Sequence, residues 1–197
     1  MGAFDPNFDP EITLWPEDDP SETGLGEHTS FPENTQFPLK PGSVVTGPRL
    51  LAVLCSAGHI NRVEAQFCAQ CGGPLQDEPC WVPRPVLGEL VFPGEYRVPV
   101  QIDLVIGRDP RAVEDSRPAP ALVKVHSPNN EVSRSHCRIQ VDNWQVRVVD
   151  LGTKNGSLLV KSGLKPTALV AFTPVLLHDG DQLILGDGVS CYYKEVL

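Results

Sequence analysis

From about residue 86 onward the chain alternates between apolar and polar positions. Ile102, Leu104 and Ile106 do so in "QIDLVIGR", and Cys137, Ile139 and Val141 follow "SRSH" in the same way. Val146 and Val148 alternate in "WQVRVV", and Leu183 and Leu185 in "DQLILG". A period of two places successive side chains on opposite faces of an extended chain, so each run predicts a strand with one buried face. Turn sequences separate the runs: "PGE", "DN", "KNG", "HDGD" and "GDG". No stretch of this region sustains a helical period. Short strands with frequent turns predict an all-β, antiparallel sandwich, and a segment of roughly 110 residues suits one such domain. By register Cys137 faces inward, and Cys191, between Ser190 and Tyr192, also reads as a strand residue; both are expected as small core residues.

Upstream the pattern changes twice. Residues 1–48 are rich in Pro, Asp, Glu, Gly and Thr and show no period. They carry too little apolar surface to offset chain entropy, which predicts a disordered acidic tail. Phe4, Phe8, Ile12, Leu14 and Trp15 nevertheless sit among its acids, and Thr13, Thr23, Thr29 and Thr35 are spaced along it. Residues 50–80 form a short cysteine-rich unit. The expected organisation is therefore a tail (1–48), a cysteine-rich unit (50–80) and a sandwich (86–197).

Charge narrows the function classes. The net charge is −9. Residues 1–50 hold nine acidic residues against Lys40 and Arg49, whereas residues 88–197 hold thirteen acidic against twelve basic. A general polyanion binder is disfavoured by this balance, and nucleic acid with it. No apolar run approaches the roughly 20 residues needed to span a bilayer, and the acidic start lacks a signal-peptide pattern. A cytoplasmic protein is the expectation.

Three of the six cysteines cluster with a histidine. Cys55 and His59 enclose three residues, and Cys68 and Cys71 enclose two. Each close pair can form a knuckle presenting two ligands, and two knuckles complete the tetrahedral site that structural Zn²⁺ prefers. Gly58, Gly72 and Gly73 stand where tight knuckle turns need a permissive backbone. Four protein ligands leave no open position for water, so the expected role is structural. Cys80 is a rival to His59 as fourth ligand. The pieces "CSAGH" and "FCAQCGGPL" resemble a bacterial zinc ribbon.

The stretch "NEVSRSHCRI" admits three readings: a nucleic-acid patch, a kinase target, or a receptor for a phosphate carried by another chain. Glu131 and Asp142 flank it and its only aromatic platform is Trp144, a poor footprint for nucleic acid. A strand beginning just after it argues for a fixed loop, against a flexible kinase target. No G-x-S-x-G elbow accompanies Ser133 and His136, which argues against a hydrolase. A phosphate receptor needs guanidinium groups, hydroxyls and backbone N–H groups on loops held by a scaffold. Gly107-Arg108, Ser133-Arg134 and "GTKNG" (residues 152–156) supply them from three places.

The ordered set "IGR", "SRSH", "VVDLGTKNGS" and "LHDGDQLILG" resembles the forkhead-associated (FHA) domain over about residues 86–197. The resemblance implies an FHA-type sandwich of about eleven strands and a non-enzymatic module that binds phosphothreonine peptides. It implies that Arg108 orients the peptide backbone and adds to the phosphate pocket. Ser133 would bond the phosphate with Arg134 beside it, and Thr153 would add a hydroxyl contact. Asn155 would bond the peptide main chain, and Lys154 would influence peptide preference. Gly107, His136 and Gly156 would be structural support. Two departures stand out: a long polar loop, "DPRAVEDSRPAP", after Arg108, and threonine at 153 in place of the more frequent serine.

The implied partners are phosphothreonine-containing proteins and the Ser/Thr protein kinase that modifies them. The chain's own tail is a further candidate ligand, phosphorylated at Thr23 or Thr29 and docked in cis. The alternative function places the activity in the ribbon, as an adaptor in a nucleic-acid or transcription complex with the sandwich as a recruitment arm. Only Arg62 and Arg84 are basic within residues 51–87.

Overall fold

The computed structural model describes residues 47–75, 78–112 and 118–196. Thr23 and Thr29 lie outside them, as does the whole of the tail. The strands are β1 (Arg49–Leu54), β2 (Ile60–Asn61), β3 (Cys80–Pro83), β4 (Gly88–Val91), β5 (Arg97–Val100), β6 (Leu104–Gly107) and β7 (Ala121–Lys124). They continue as β8 (Cys137–Asp142), β9 (Gln145–Asp150), β10 (Leu158–Val160), β11 (Thr167–Ala168), β12 (Val175–Leu176), β13 (Gln182–Gly186) and β14 (Val189–Glu195). Among the described residues the only helical element is one 3₁₀ turn, Pro93–Glu95. No helix there is long and apolar enough to cross a membrane.

Strands β4 to β14 make the expected eleven-strand sandwich. One sheet runs β11-β10-β13-β14-β4-β5 and the other β12-β9-β8-β6-β7. The alternating runs turn their apolar faces into one core. Leu90, Val98, Val100, Leu183, Leu185 and Cys191 enter it from the first sheet, and Leu104, Ile106, Cys137, Ile139 and Val148 from the second. The turn sequences fall between strands as expected. Asp187-Gly188 closes the β13–β14 hairpin with both residues at positive φ (51° and 71°), the geometry that matches the right-handed twist of the flanking strands.

Two features depart from simple alternation. β6 and β7 pair in parallel, because the chain leaves β6, crosses over through the loop after Gly107, and re-enters the sheet in the same direction. β6 is also buried on both faces. It lies between β8 and β7, and the backbone of residues 133–134 lies directly against Gly107.

The cysteine-rich unit shares the sandwich's core. Its sheet, β2-β1-β3, contributes Leu50, Ala52 and Val82 to the same apolar cluster. Polar contacts fasten it further. The Trp144 indole N–H donates to the Leu51 carbonyl at 3.1 Å, and Arg62 pairs with Glu195 at 2.7 Å while lying over the Trp144 ring. Residues Gly47–Leu197 accordingly form one compact unit. Leu50 is fully buried, so L50A should cost about 2–4 kcal/mol in chemical denaturation, the range for truncating a packed leucine. A change below about 0.5 kcal/mol, typical of surface positions, would show that the unit does not share the core.

Candidate functional site

Three loops meet at one end of the sandwich, and hydrogen bonds tie them together. The first contact is a backbone crossing. The Arg108 N–H donates to the Ser133 carbonyl at 3.1 Å and the Asp109 N–H to the Arg134 carbonyl at 3.2 Å. A Cβ at position 107 would lie 1.9 Å from the Arg134 carbonyl oxygen. No side chain fits there, so the glycine of "IGR" is required by the close approach of "SR".

His136 makes the second connection. It has no solvent exposure. Its Nδ1 accepts the Ser133 N–H at 3.0 Å, which leaves the proton on Nε2, and Nε2 donates to the Gly156 carbonyl at 3.1 Å. Burial lowers its pKa, against smaller raising contributions from the Gly156 carbonyl and Asp150. The neutral ring is the one that fits, because a proton on Nδ1 would oppose the Ser133 N–H.

Asp150, at the end of β9, organises the third loop. Its Oδ1 accepts the N–H groups of Gly152 (2.9 Å) and Thr153 (3.0 Å); its Oδ2 accepts the hydroxyls of Thr153 (2.9 Å) and Ser157 (2.6 Å). Burial alone would raise this carboxyl's pKa, but these donors outweigh it and hold the group below its ordinary value. The Thr153 oxygen in turn accepts the Gly156 N–H at 3.1 Å. Its single hydroxyl hydrogen is committed to Asp150, so the ligand contact expected of Thr153 requires breaking that bond. Asn155 donates to the Glu131 carbonyl at 3.0 Å and so ties this loop to the one before Ser133. Lys154 and Arg134 are exposed.

A brace supports the second loop from behind. Asp187 accepts the Ser127 hydroxyl and, at 2.9 Å, the Glu131 N–H; Glu131 in return accepts the Asp187 N–H at 2.6 Å. The Ser127 oxygen accepts the Val132 N–H at 3.0 Å.

Arg108 is half-buried, and its Nε is enclosed with no hydrogen-bond partner among the described residues. Beside it opens a groove of about 430 Å³, lined by Arg108, Lys124, Val125, His126, Ser127 and Asn130. The structure thus brings Arg108, Ser133, Asn155 and Gly156 into one bonded set of loops. Asp150, Asp187, Lys124 and His126 were not singled out in the sequence. The last two lie in a short alternating run at the end of β7 and just past it, and "VVDL" contained the first. Phe172 carries no such signal: at φ 60° its exposed ring packs over Gly152, where a Cβ would lie 2.5 Å from it.

A second cluster lies in the β1–β3 unit. The ligand atoms of Cys55, His59, Cys68 and Cys71 all lie within 4.8 Å of one another. His59 Nδ1 is 3.4 Å from the Cys55 sulfur and 3.5 Å from the Cys68 sulfur, and the Cys55 and Cys71 sulfurs are 3.8 Å apart. The edges of a tetrahedron around Zn²⁺, with bonds of about 2.3 Å to sulfur and 2.0 Å to nitrogen, are about 3.8 Å (S···S) and 3.5 Å (S···N). Gly58 and Gly72 take positive φ (81° and 67°) in the two knuckles. Buried Asn61 links them, donating to the His59 carbonyl and accepting the Ala69 N–H, both at 2.9 Å. Burial would raise the Cys68 thiol, but N–H groups of Cys71 and Gln70 and the Asn61 side chain bring it down to about 6. Cys80 pairs with Ala52 in the β1–β3 ladder and is not among the clustered donors. Arg62 and Arg84 are engaged with the sandwich, Arg62 with Glu195 and Arg84 with the Gln101 carbonyl.

The family model of the FHA domain matches residues 104–186, from the start of β6 to the end of β13 and across all three loops. No curated protein matches the chain. Among solved structures, the FHA domain of an Arabidopsis thaliana hypothetical protein is 27% identical with a TM-score of 0.42, over 57% of this chain and 88% of its own. The FHA domain of human APLF, solved with an XRCC1 bisphospho peptide, is 21% identical with a TM-score of 0.44, over 56% and 99%. One solved for phosphothreonine-dependent FHA domain interactions is 20% identical with a TM-score of 0.40, over 56% and 98%.

The state of His136 sets a pH dependence. Its folded pKa is lowered, so as pH falls through about 6.5 the unfolded chain takes up this proton first. The stability it contributes is whole above that pH and declines below it until the folded pKa is passed. Denaturant midpoints at descending pH, with the His136 ring followed by NMR, check this. A ring that titrates at or above the free-histidine value would contradict it.

Proposed function

We propose that the FHA domain of this chain is a phosphothreonine-peptide receptor that acts by binding, without covalent chemistry, in Ser/Thr-kinase-dependent signalling or assembly. The observation that carries this reading is the backbone crossing at Gly107. It sets Arg108, with an unpartnered Nε, against the Ser133-Arg134 loop that His136 fastens to the "TKNG" loop. A phosphate brings about −1.5 to −2 charges and three acceptor oxygens, which suit guanidinium, hydroxyl and amide donors held in place beforehand. In this reading Arg108, Ser133 and Arg134 hold the phosphate, and Asn155 and Lys154 meet the peptide beside it. Thr153 acts first through its own loop, by way of Asp150 and Gly156. An unphosphorylated threonine would leave Arg108 without a charged partner, so discrimination follows from electrostatics.

The Cys55, His59, Cys68 and Cys71 cluster we assign to structural Zn²⁺, on the gathering of four donors within 4.8 Å, three of whose edges match a tetrahedral site. The ion would join the two knuckles that follow β1 and β2 and so fix the end of a sheet that shares the sandwich core. Metal analysis of the purified chain is expected to give one Zn²⁺ per molecule, with loss in Cys71→Ser; a full complement in that variant would remove the assignment.

The acidic segment 1–48 adds a regulatory element to the proposal. Phosphorylated at Thr23 or Thr29, it would present its own phosphothreonine at a high effective concentration, so that modest affinity suffices to occupy the site.

Calorimetric titration of a phosphothreonine peptide tests the whole reading. R108A/S133A is expected to lose at least about tenfold in affinity, as removal of charge-assisted contacts should, and to lose partners in a pulldown from kinase-active lysate. Unaltered binding by that variant would sink the receptor reading. Kinase-treated protein is expected to bind the peptide more weakly than untreated protein; equal affinity would remove self-docking alone.

A further inference from the structure

We propose that the open side of the sandwich, where the edge strands β11 and β12 lie, is a second docking site, which takes an apolar side chain carried on an acidic segment of another protein. The proposal is independent of the phosphothreonine reading.

Both sheets end there in two-residue strands. β11 pairs only with β10 and β12 only with β9, so each is the edge of its sheet. Residues of both strands line a cavity of about 210 Å³, whose walls include Leu159, Leu164, Lys165, Leu169, Val170 and Val175. Leu159 belongs to the apolar core, and Leu169 and Val175 pack against it, so the floor of the cavity is the margin of the core itself. Arg108, Ser133, Arg134 and Asn155 take no part in its lining. The volume falls short of the roughly 300–1,000 Å³ of a small-molecule site and suits a single side chain.

The surroundings of the cavity are exposed apolar side chains on fixed loops. Three of the four most exposed large apolar residues among those described lie here: Leu164, Val170 and Phe172, at 65%, 68% and 69%. Main-chain bonds hold the loops that carry them. The Leu164 N–H donates to the Lys161 carbonyl at 2.9 Å, the Leu169 N–H to the Ser157 carbonyl at 2.9 Å and the Phe172 N–H to the Asp150 carbonyl at 2.8 Å. Phe172 also takes φ 60°, a costly geometry for a bulky residue, while its ring stays exposed. A cluster of exposed apolar side chains on a fixed scaffold marks an interaction site.

Charge selects the occupant. The chain has 25 acidic and 16 basic residues, yet residues 151–178 hold Lys154, Lys161 and Lys165 and no aspartate or glutamate. Lys161 is matched by Asp181 at 3.0 Å, and Arg147, opposite Leu176 on β9, by Asp142 at 3.1 Å. Lys165 on the cavity wall and Lys154 on the loop beneath Phe172 form no ion pair among the described residues. Apolar walls with unmatched cations beside them are complemented by an apolar anchor set among carboxylates. A second copy of the chain would set the lysine-bearing face against itself, because a two-fold contact pairs the same patch on both partners. A chain of net charge −9 is repelled by an anionic bilayer, and a concave cavity fits a side chain better than a flat lipid surface.

The test follows amide chemical shifts of the full, nitrogen-15-labelled chain during titration with three acetylated nonapeptides. One carries a central leucine among glutamates, one a central serine among glutamates, and one a central leucine among lysines. The first is expected to shift the amides of residues 164–173 and to bind about tenfold more tightly than the second, as burial of a leucine side chain allows. The third should bind more weakly than the first, by a margin that narrows as salt is added. L164S/V170S should abolish the shifts with the rest of the spectrum kept, since exposed positions rarely perturb folding. K165E should weaken the acidic leucine peptide about two- to fivefold, the range of an exposed charge pair. R108A/S133A should bind that peptide as the wild type does, so failure of the phosphothreonine reading leaves this result standing. The proposal is overturned if no peptide shifts these amides, if the serine or lysine peptide binds as tightly as the first, or if R108A/S133A loses the binding. Pelleting with phosphatidylserine vesicles, or a dimer in sedimentation equilibrium, either one lost in L164S/V170S, would give the surface to lipid or to a second copy and overturn it equally.

Discussion

His136 accepts the Ser133 N–H on one ring nitrogen and donates to the Gly156 carbonyl from the other, with no part of the ring reaching solvent. Both loops depend on this one neutral imidazole. Burial and the direction of the Ser133 N–H favour the same protonation state, so the ring has a single tautomer that satisfies both neighbours. Beneath it the Asp150 carboxylate takes four hydrogen bonds from Gly152, Thr153 and Ser157 and fixes the turn that carries Asn155. Buried polar groups of this kind are costly unless every member is paired, and here the pairing runs through residues far apart in the chain. The loops are therefore held in one arrangement before any ligand arrives, which lowers the ordering cost of binding.

The Gly107 crossing works together with that network. Because nothing larger than hydrogen fits against the Arg134 carbonyl, the Arg108-Asp109 backbone and the Ser133-Arg134 backbone share two hydrogen bonds. The distance between the first and second loops is thus set by main chain, and side chains only decorate it. On the far side, the Asp187-Gly188 hairpin turn doubles as a brace, since the aspartate that its left-handed geometry tolerates also receives Ser127 and Glu131. A residue that turns a hairpin and a residue that supports a loop are here the same one.

Much of this was legible along the chain. Alternation located β6, β8, β9 and β13, the turn sequences fell between strands, and the ordered motifs named the three loops, because period two and turn chemistry are local properties. The parallel β6–β7 pair was not legible, since an alternating run does not state the direction of its neighbour. The double burial of β6 was hidden for the same reason: its second face is covered partly by a loop about 26 residues further on, which alternation of β6 cannot register. Lys124 and His126 lay in a run too short to stand out, and Thr153 was read for its hydroxyl without its partner, Asp150, which claims that hydrogen.

The cysteine spacing shows the same division. Two close pairs, each with its glycines, determined by themselves that two knuckles could form, because a knuckle needs only neighbouring residues and a permissive backbone. Which fourth donor joins was decided by tertiary structure. β1 pairs Ala52 with Cys80 and holds that sulfur in the ladder, while the turn after Cys55 swings His59 Nδ1 to within 3.5 Å of two sulfurs. The sequence determined the periods, the turns and the donor types. Only the folded chain decided which donors converge and which hydrogens are already spent, because those depend on contacts between segments that the chain separates.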